Sequence, residues 1–364
     1  MQDIHDCDRS NRYLRAVAVA VFVCSILALA GAGGGASSVT AASVTPEIAY
    51  VTGPGPGVPQ VWLAGANGSH SHKLGPGTQP LLSPNGRLVA ANAVIGGGRA
   101  LLVYSLSGAL AAGFFDISRV QAVPLAWSPD SRYIAASLSG YVATATGLGP
   151  SALVIIDTTS NRATTVAHGL VEGASFAPSG PDRVVYGLTS SLSLRGTVNL
   201  HSALANGAES RQLTHDGRSL NPLWGKRGIA FDREQLRGPH ASAYQIVLLR
   251  SGRSTQITRL RLSRRVEGLV PVAVSRDGTR LVVQYEGFDA WQAWTVNLTT
   301  ERVHELTAPE KSATSSGISR TGRRVLVGIG GQARGSNDKV ETIPFSGGTP
   351  TVLVAHGGEP SWNQ

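Results

Sequence analysis

The side chains that carry most chemistry in this sequence fall into two groups. His168, Glu172, His215, Asp216, Asn221, Glu267 and Glu359 lie at or just ahead of short apolar runs. Titratable groups converging from separate segments can hold a peptide, a sugar or a metal. Two of them within a few ångström of one bond can act as acid and base. Taken singly, each also reads as an ordinary solvated loop residue. The second group is arginine: Arg250, Arg253, Arg259, Arg261, Arg264 and Arg265 crowd into sixteen residues. Guanidinium groups grip carboxylate or phosphate bidentately. Such a run reads either as an anion-binding flank or as a charged edge that keeps an outer strand from pairing with another chain.

Other candidates are weaker. His70-Ser71-His72 puts two imidazoles on one side of an extended segment, but two ligands without a third make a poor metal site. No G-x-S-x-G elbow, H-E-x-x-H pair or P-loop occurs, so no nucleophile, zinc site or nucleotide cradle is implied. Asp130 and Asp277 sit in turn sequences, where a carboxylate bonds its own backbone two residues on. Neither a metal site nor a cofactor is expected.

These residues are spaced by a repeat. Pro124 to Ser137 reads strand, tight turn, strand, with Ser128-Pro129-Asp130-Ser131 as the turn. Related turns place their serine position at 83, 128, 177, 225, 275 and 319, and Asn363 takes it in a truncated last copy. Ala177 and Gly225 replace the serine in two of them. Gaps of 45, 49, 48, 50, 44 and 44 residues suit four strands per unit. Ile48–Val51, Gln60–Leu63 and His72–Leu74 look like the last three strands of a unit, and Glu359–Trp362 like the first strand of one. Joined, they form one unit from both termini and remove an exposed edge. Trp127, Trp224 and Trp362 share one repeat position, which argues for packing between units. Trp291, beside Phe288 and Asp289, is freer to meet a sugar or a partner.

The turn Trp127-Ser128-Pro129-Asp130-Ser131, followed by Ile134-Ala135, resembles the TolB-type β-propeller repeat, which also occurs in prolyl-oligopeptidase-like peptidases. The resemblance covers roughly residues 47–364 and implies an all-β propeller of four-stranded blades. Seven blades are expected, six or eight if a degenerate unit is misread. It also implies a binding surface at the mouth of a central channel, where loops entering the first strand of each blade would bring the seven polar residues above.

Composition bounds the rest. With 44 Gly among 364 residues and no sustained 3.6-residue apolar period after residue 36, almost no helix is expected. Arg9, Arg12 and Arg15 precede a charge-free run from Ala16 to Ala32. That pattern predicts an export signal over 1–30, cleaved near Ala30 or kept as an anchor, and a linker over 31–46. Both cysteines, Cys7 and Cys24, fall in this segment, which leaves the rest of the chain without a thiol. The first 36 residues are neutral, so the +9 charge belongs to the exported part and favours anionic surfaces. The expectation is a monomeric, exported binding module whose partner is an envelope protein or anionic cell-wall polymer. Nucleic acid is not expected as a partner, and contact with a membrane would run only through the N-terminal segment. A glycan-acting lyase or hydrolase is the alternative.

Overall fold

The computed structural model describes residues 48–362 apart from 53–57, 96–97, 117–119, 141–150, 181, 190–196, 239–240, 262–266, 288–290 and 331–337. The predicted export signal and linker, Arg264 and Arg265 lie outside the described residues. Within them the protein is all-β, and the one helical element is a short 3-10 turn at Pro309–Lys311. No helix among them is long and apolar enough to cross a membrane.

The strands form four-stranded antiparallel sheets taken in chain order. Their first strands are Thr78–Leu82, Val120–Trp127, Val171–Phe176, Ser219–Gly225, Glu267–Val274 and Ala313–Ile318. One sheet draws its first strand from the far end of the chain: Gly358–Trp362 pairs antiparallel with Ile48–Thr52, Ile48 opposite Trp362. Two neighbouring sheets share a short parallel contact, Ala243 to Glu267 and Tyr244 to Gly268. Only glycine fits at 268, because an added Cβ would come within 2.4 Å of the Tyr244 Cβ.

Each sheet is buried on both faces, which is why its strands are runs such as Leu281-Val282-Val283 rather than alternations. The apolar clusters lie between consecutive sheets. Ala90 and Leu101 pack with Trp127 and Ile134, Leu153 with Phe176 and Tyr186, and Val185 with Phe231 and Val247. Leu326 and Val340 of the last sheet pack with Ile48, Tyr50 and Trp362. The first strands touch one another in sequence, and Gly358–Trp362 touches both Ala313–Ile318 and Thr78–Leu82.

Where the repeated serine is present, it braces the turn. Ser128 Oγ donates to Asp130 Oδ1 and accepts from the Tyr133 amide at 2.8 Å. Ser83 does the same with Asn85 and Leu88, and Ser275 with Asp277 and Arg280. These hydroxyls are buried, so the polar group is kept because both its bonds are made. Bonding to Ser275 and to the Thr279 amide holds the Asp277 carboxyl down at about 2. Asp130 and Asp277 are thus turn residues, as read from the sequence.

Candidate functional site

A solvent-open cavity of about 750 Å³ runs between the first strands, and every one of them contributes to its wall. Its floor is apolar, from Leu82, Trp127, Phe176, Leu223 and Ile318, with Ser175, Ser316 and Ser361 adding hydroxyls. Some of these serines are already used between sheets: Ser361 Oγ accepts from the Leu82 amide at 3.0 Å and Ser175 Oγ from the Trp224 amide at 3.0 Å.

The rim at the turn end is set by the residue that follows the brace position. Pro84, Pro129 and Pro178 occupy it in three consecutive sheets, and Lys226, Arg276 and Arg320 in the next three. The last three are exposed. Half the rim is therefore neutral and stiff, and the other half is a crescent of three cations. Arg320 is anchored across the gap by a bond from Nη2 to the Pro84 carbonyl at 2.8 Å. An anionic group entering here meets cations held by a rigid scaffold, with low-dielectric walls that strengthen the attraction.

Beyond Gly173 and Asn221, which line the cavity, lie carboxyl groups that are not part of its lining. Glu172 stands near the start of Val171–Phe176. Asn221 lines the cavity from Ser219–Gly225 with its backbone at φ 43°, and Glu286 ends the strand Arg280–Glu286. Asp232 lies directly behind Asn221 and is 1 % exposed. Asn221 Nδ2 donates to Asp232 Oδ2 over a long 3.4 Å, and Asp232 Oδ1 has no hydrogen-bond partner. Burial pushes the Asp232 carboxyl up to about 7. Glu286 and Glu172 add to the rise, while Asn221 and the residue's own amide oppose it. Glu172 and Glu286 are raised as well, both by burial. Glu286 keeps contact with solvent while protein crowds its carboxyl. Tyr244 is pushed up to about 12 by burial and then by Glu234, Asp232, Glu172 and Glu286.

Of the seven polar residues singled out in the sequence, the structure brings Glu172 and Asn221 together at this end. Asp216 turns away: Oδ2 meets Arg233 Nε at 2.8 Å and Oδ1 accepts from Ser219 at 2.7 Å. Glu359, at φ 47°, accepts from the Gln79 amide at 2.6 Å and ties the two terminal sheets. His168 and His215 are exposed, and His215 helps burial lower the His201 imidazole. The backbone of Glu267 opens its strand, and its side chain lies outside the described residues. Within the arginine run, Arg250 donates to the Arg227 carbonyl and Arg259 pairs with Glu301 at 3.2 Å, which leaves Arg253 and Arg261 exposed. Trp127 and Trp362 are buried between sheets while also bordering the cavity. His72 spends its ring on the Leu106 and His70 carbonyls.

Sequence reasoning missed Lys226, Arg276 and Arg320, and also Asp232 and Glu286. Reading the repeat one column past the serine would have found the crescent. Asp232 directly follows the apolar run Ile229-Ala230-Phe231 on the strand Gly228–Gly238.

No protein-family model matches this sequence, and no curated protein does either. Solved structures do match by fold. TolB from Acinetobacter baumannii superposes with a TM-score of 0.54 at 14% identity, over 88% of this chain and 67% of that one. An oligogalacturonate lyase in complex with manganese gives 0.57 at 12% identity, over 75% and 80%. The β-propeller domain of the Trilobed protease from Pyrococcus furiosus gives 0.51 at 10% identity, over 73% and 79%. The chain thus has a β-propeller fold of the TolB-like kind.

Proposed function

We propose that this protein is an exported, seven-bladed binding propeller that takes an anionic partner at the turn-end mouth of its channel. The pairing of Gly358–Trp362 with Ile48–Thr52 and the apolar cluster that joins the last sheet to the first support a ring closed by both termini. The N-terminal pattern of arginines followed by a charge-free run supports export. The observation that carries the binding reading is the crescent of Lys226, Arg276 and Arg320 on the rim of an open cavity. Three fixed cations over an apolar floor suit a carboxylate-rich segment of an envelope protein or an acidic polymer. The module binds as a monomer without chemistry of its own.

The test is retention of polyglutamate and of envelope proteins on the immobilised protein, at low and high salt, with a K226A/R276A/R320A variant beside the natural chain. Loss of retention in the variant supports the crescent. Equal retention by both overturns it and returns attention to the flank of Arg253 and Arg261. One observation favours a second reading, a glycan-acting lyase: the fold similarity covers 80% of the oligogalacturonate lyase chain, and oligogalacturonate is a polyanion. Ultraviolet detection of an unsaturated product from oligogalacturonate checks it. Among the described residues no three of His, Cys, Asp and Glu gather as metal ligands would.

A further inference from the structure

The cavity between the first strands keeps apolar surface that folding has left partly uncovered. Leu81, Leu125, Leu223, Trp224, Val272 and Val274 line it and are only half-buried. A concave apolar wall with a few placed polar groups is the usual form of a small-molecule site, and about 750 Å³ is an ordinary size for one. Several polar groups of the wall are already spent. Ser175 and Ser361 accept backbone amides, and Trp127 gives its indole N–H to the Leu81 carbonyl at 2.8 Å. A sugar or a peptide backbone would find few partners along such a wall, whereas an alkyl chain needs none. Among the residues that line the cavity, the charged ones are Lys226, Arg276 and Arg320, all at the turn end. Pro84, Pro129 and Pro178 complete that mouth with no N–H to offer an anion.

We propose that this cavity takes a single-chain amphiphilic anion, with its head on Lys226, Arg276 and Arg320 and its alkyl chain along the first strands. Such a ligand rests on the crescent's role as an anion site and adds an apolar body to what that site takes. Carboxylate and phosphate heads share the chemistry, since guanidinium grips either one bidentately. The direction follows from the lining. From Lys226 at the mouth to Asn221 along the same strand is five residues, roughly 16 Å at the usual strand rise, and no charged side chain lines the wall between them. An ionised head is stabilised at the turn end alone. Inserted the other way, it would sit against Leu223 and Val272 and lose its hydration without gaining a partner. A fully charged polymer can reach the rim but gains nothing from the wall.

The test is isothermal titration calorimetry of the full chain with acetate, butyrate, hexanoate and octanoate. Octanol serves as the chain without a charge and octyl phosphate as the alternative head. Affinity is expected to rise about fourfold per added methylene, the worth of one buried CH₂, and octanoate to exceed octanol by about tenfold or more. Tighter binding of octanoate or of octyl phosphate assigns the head. The K226A/R276A/R320A variant should lose the advantage of octanoate over octanol, and V272T/V274T should flatten the chain-length series. Should V272T/V274T not fold, the series on the natural chain and on the triple variant carries the comparison. If polyglutamate is held by the crescent while octanoate gains nothing over acetate, the amphiphile is overturned and the anion site stands. If neither polyglutamate nor octanoate binds, both are overturned. Octanoate bound equally by the natural chain and the triple variant overturns the placement of the head, and the proposal with it.

Discussion

Asp232 offers a sharp prediction about stability. Its carboxyl titrates near 7 in the folded chain against an ordinary 3.8. Because the folded value is the higher one, the native state holds its proton while the unfolded state has released it. Stability from this group is complete below pH 3.8, falls as pH rises, and is gone above about 7. The gap of roughly three pH units corresponds to about 4 kcal/mol at 1.36 kcal/mol per unit. Asp232→Asn keeps the shape and removes the titration. The variant should match the natural protein near pH 4 and exceed it by up to about 4 kcal/mol at pH 8. Urea unfolding of both proteins from pH 4 to 8.5 measures this as a difference in free energy that widens with pH. A difference that stays constant within about 1 kcal/mol would show that Asp232 is not buried and unmatched in solution.

The remaining predictions test the scaffold. Ser128→Ala removes a buried hydroxyl that makes two bonds and should cost about 1–3 kcal/mol by urea denaturation. Gly268→Ala forces a Cβ against Tyr244 and should lose most soluble yield, whereas Gly252→Ala, with open space around its Cβ but φ +78°, should cost only about 1 kcal/mol. Truncation before Gly358 uncovers the edge of Ile48–Thr52 and should raise the apparent mass by light scattering as exposed edges pair. Arg132→Ala breaks a partly exposed pair with Asp157 at 2.7 Å and should change stability by less than about 1 kcal/mol.

Much of the fold was legible because its signals are local. A serine whose hydroxyl closes a turn has few substitutes, so Ser83, Ser128 and Ser275 recur with an Asn or Asp two residues on. Strands packed on both faces must be apolar throughout, which made their positions readable from composition. The site was harder for a physical reason: its parts touch across sheets rather than along the chain. Glu172 and Glu286 are more than a hundred residues apart, yet both act on Asp232 and Tyr244. Asp216 lies just before its strand, and Glu172 and Glu359 are second in theirs. One bonds Arg233, one acts on the Asp232 carboxyl, and one bonds the Gln79 amide. Nothing in their local sequence distinguishes these outcomes. The arginine run misled for the converse reason. Its density drew attention, yet Arg250 and Arg259 are spent on a carbonyl and a carboxylate.

The strained residues of the first strands follow from one constraint on the repeat. A first strand must bend where it lines the channel, and it does so at a bulge that leaves Gln79, Gly173, Asn221 and Glu359 at positive φ. Glycine holds that conformation without cost, whereas Gln, Asn and Glu do so at a cost of order 1–3 kcal/mol. The cost persists where the side chain makes a bond that glycine cannot. Glu359 makes one to the neighbouring sheet and Asn221 makes one to Asp232. Asn221→Gly should relieve the backbone and uncover the Asp232 carboxylate together. A stability change that differs between pH 4 and pH 8 by urea unfolding would show that Asn221 acts on the Asp232 carboxyl. A change equal at both pH values would show that Asn221 serves only the bend.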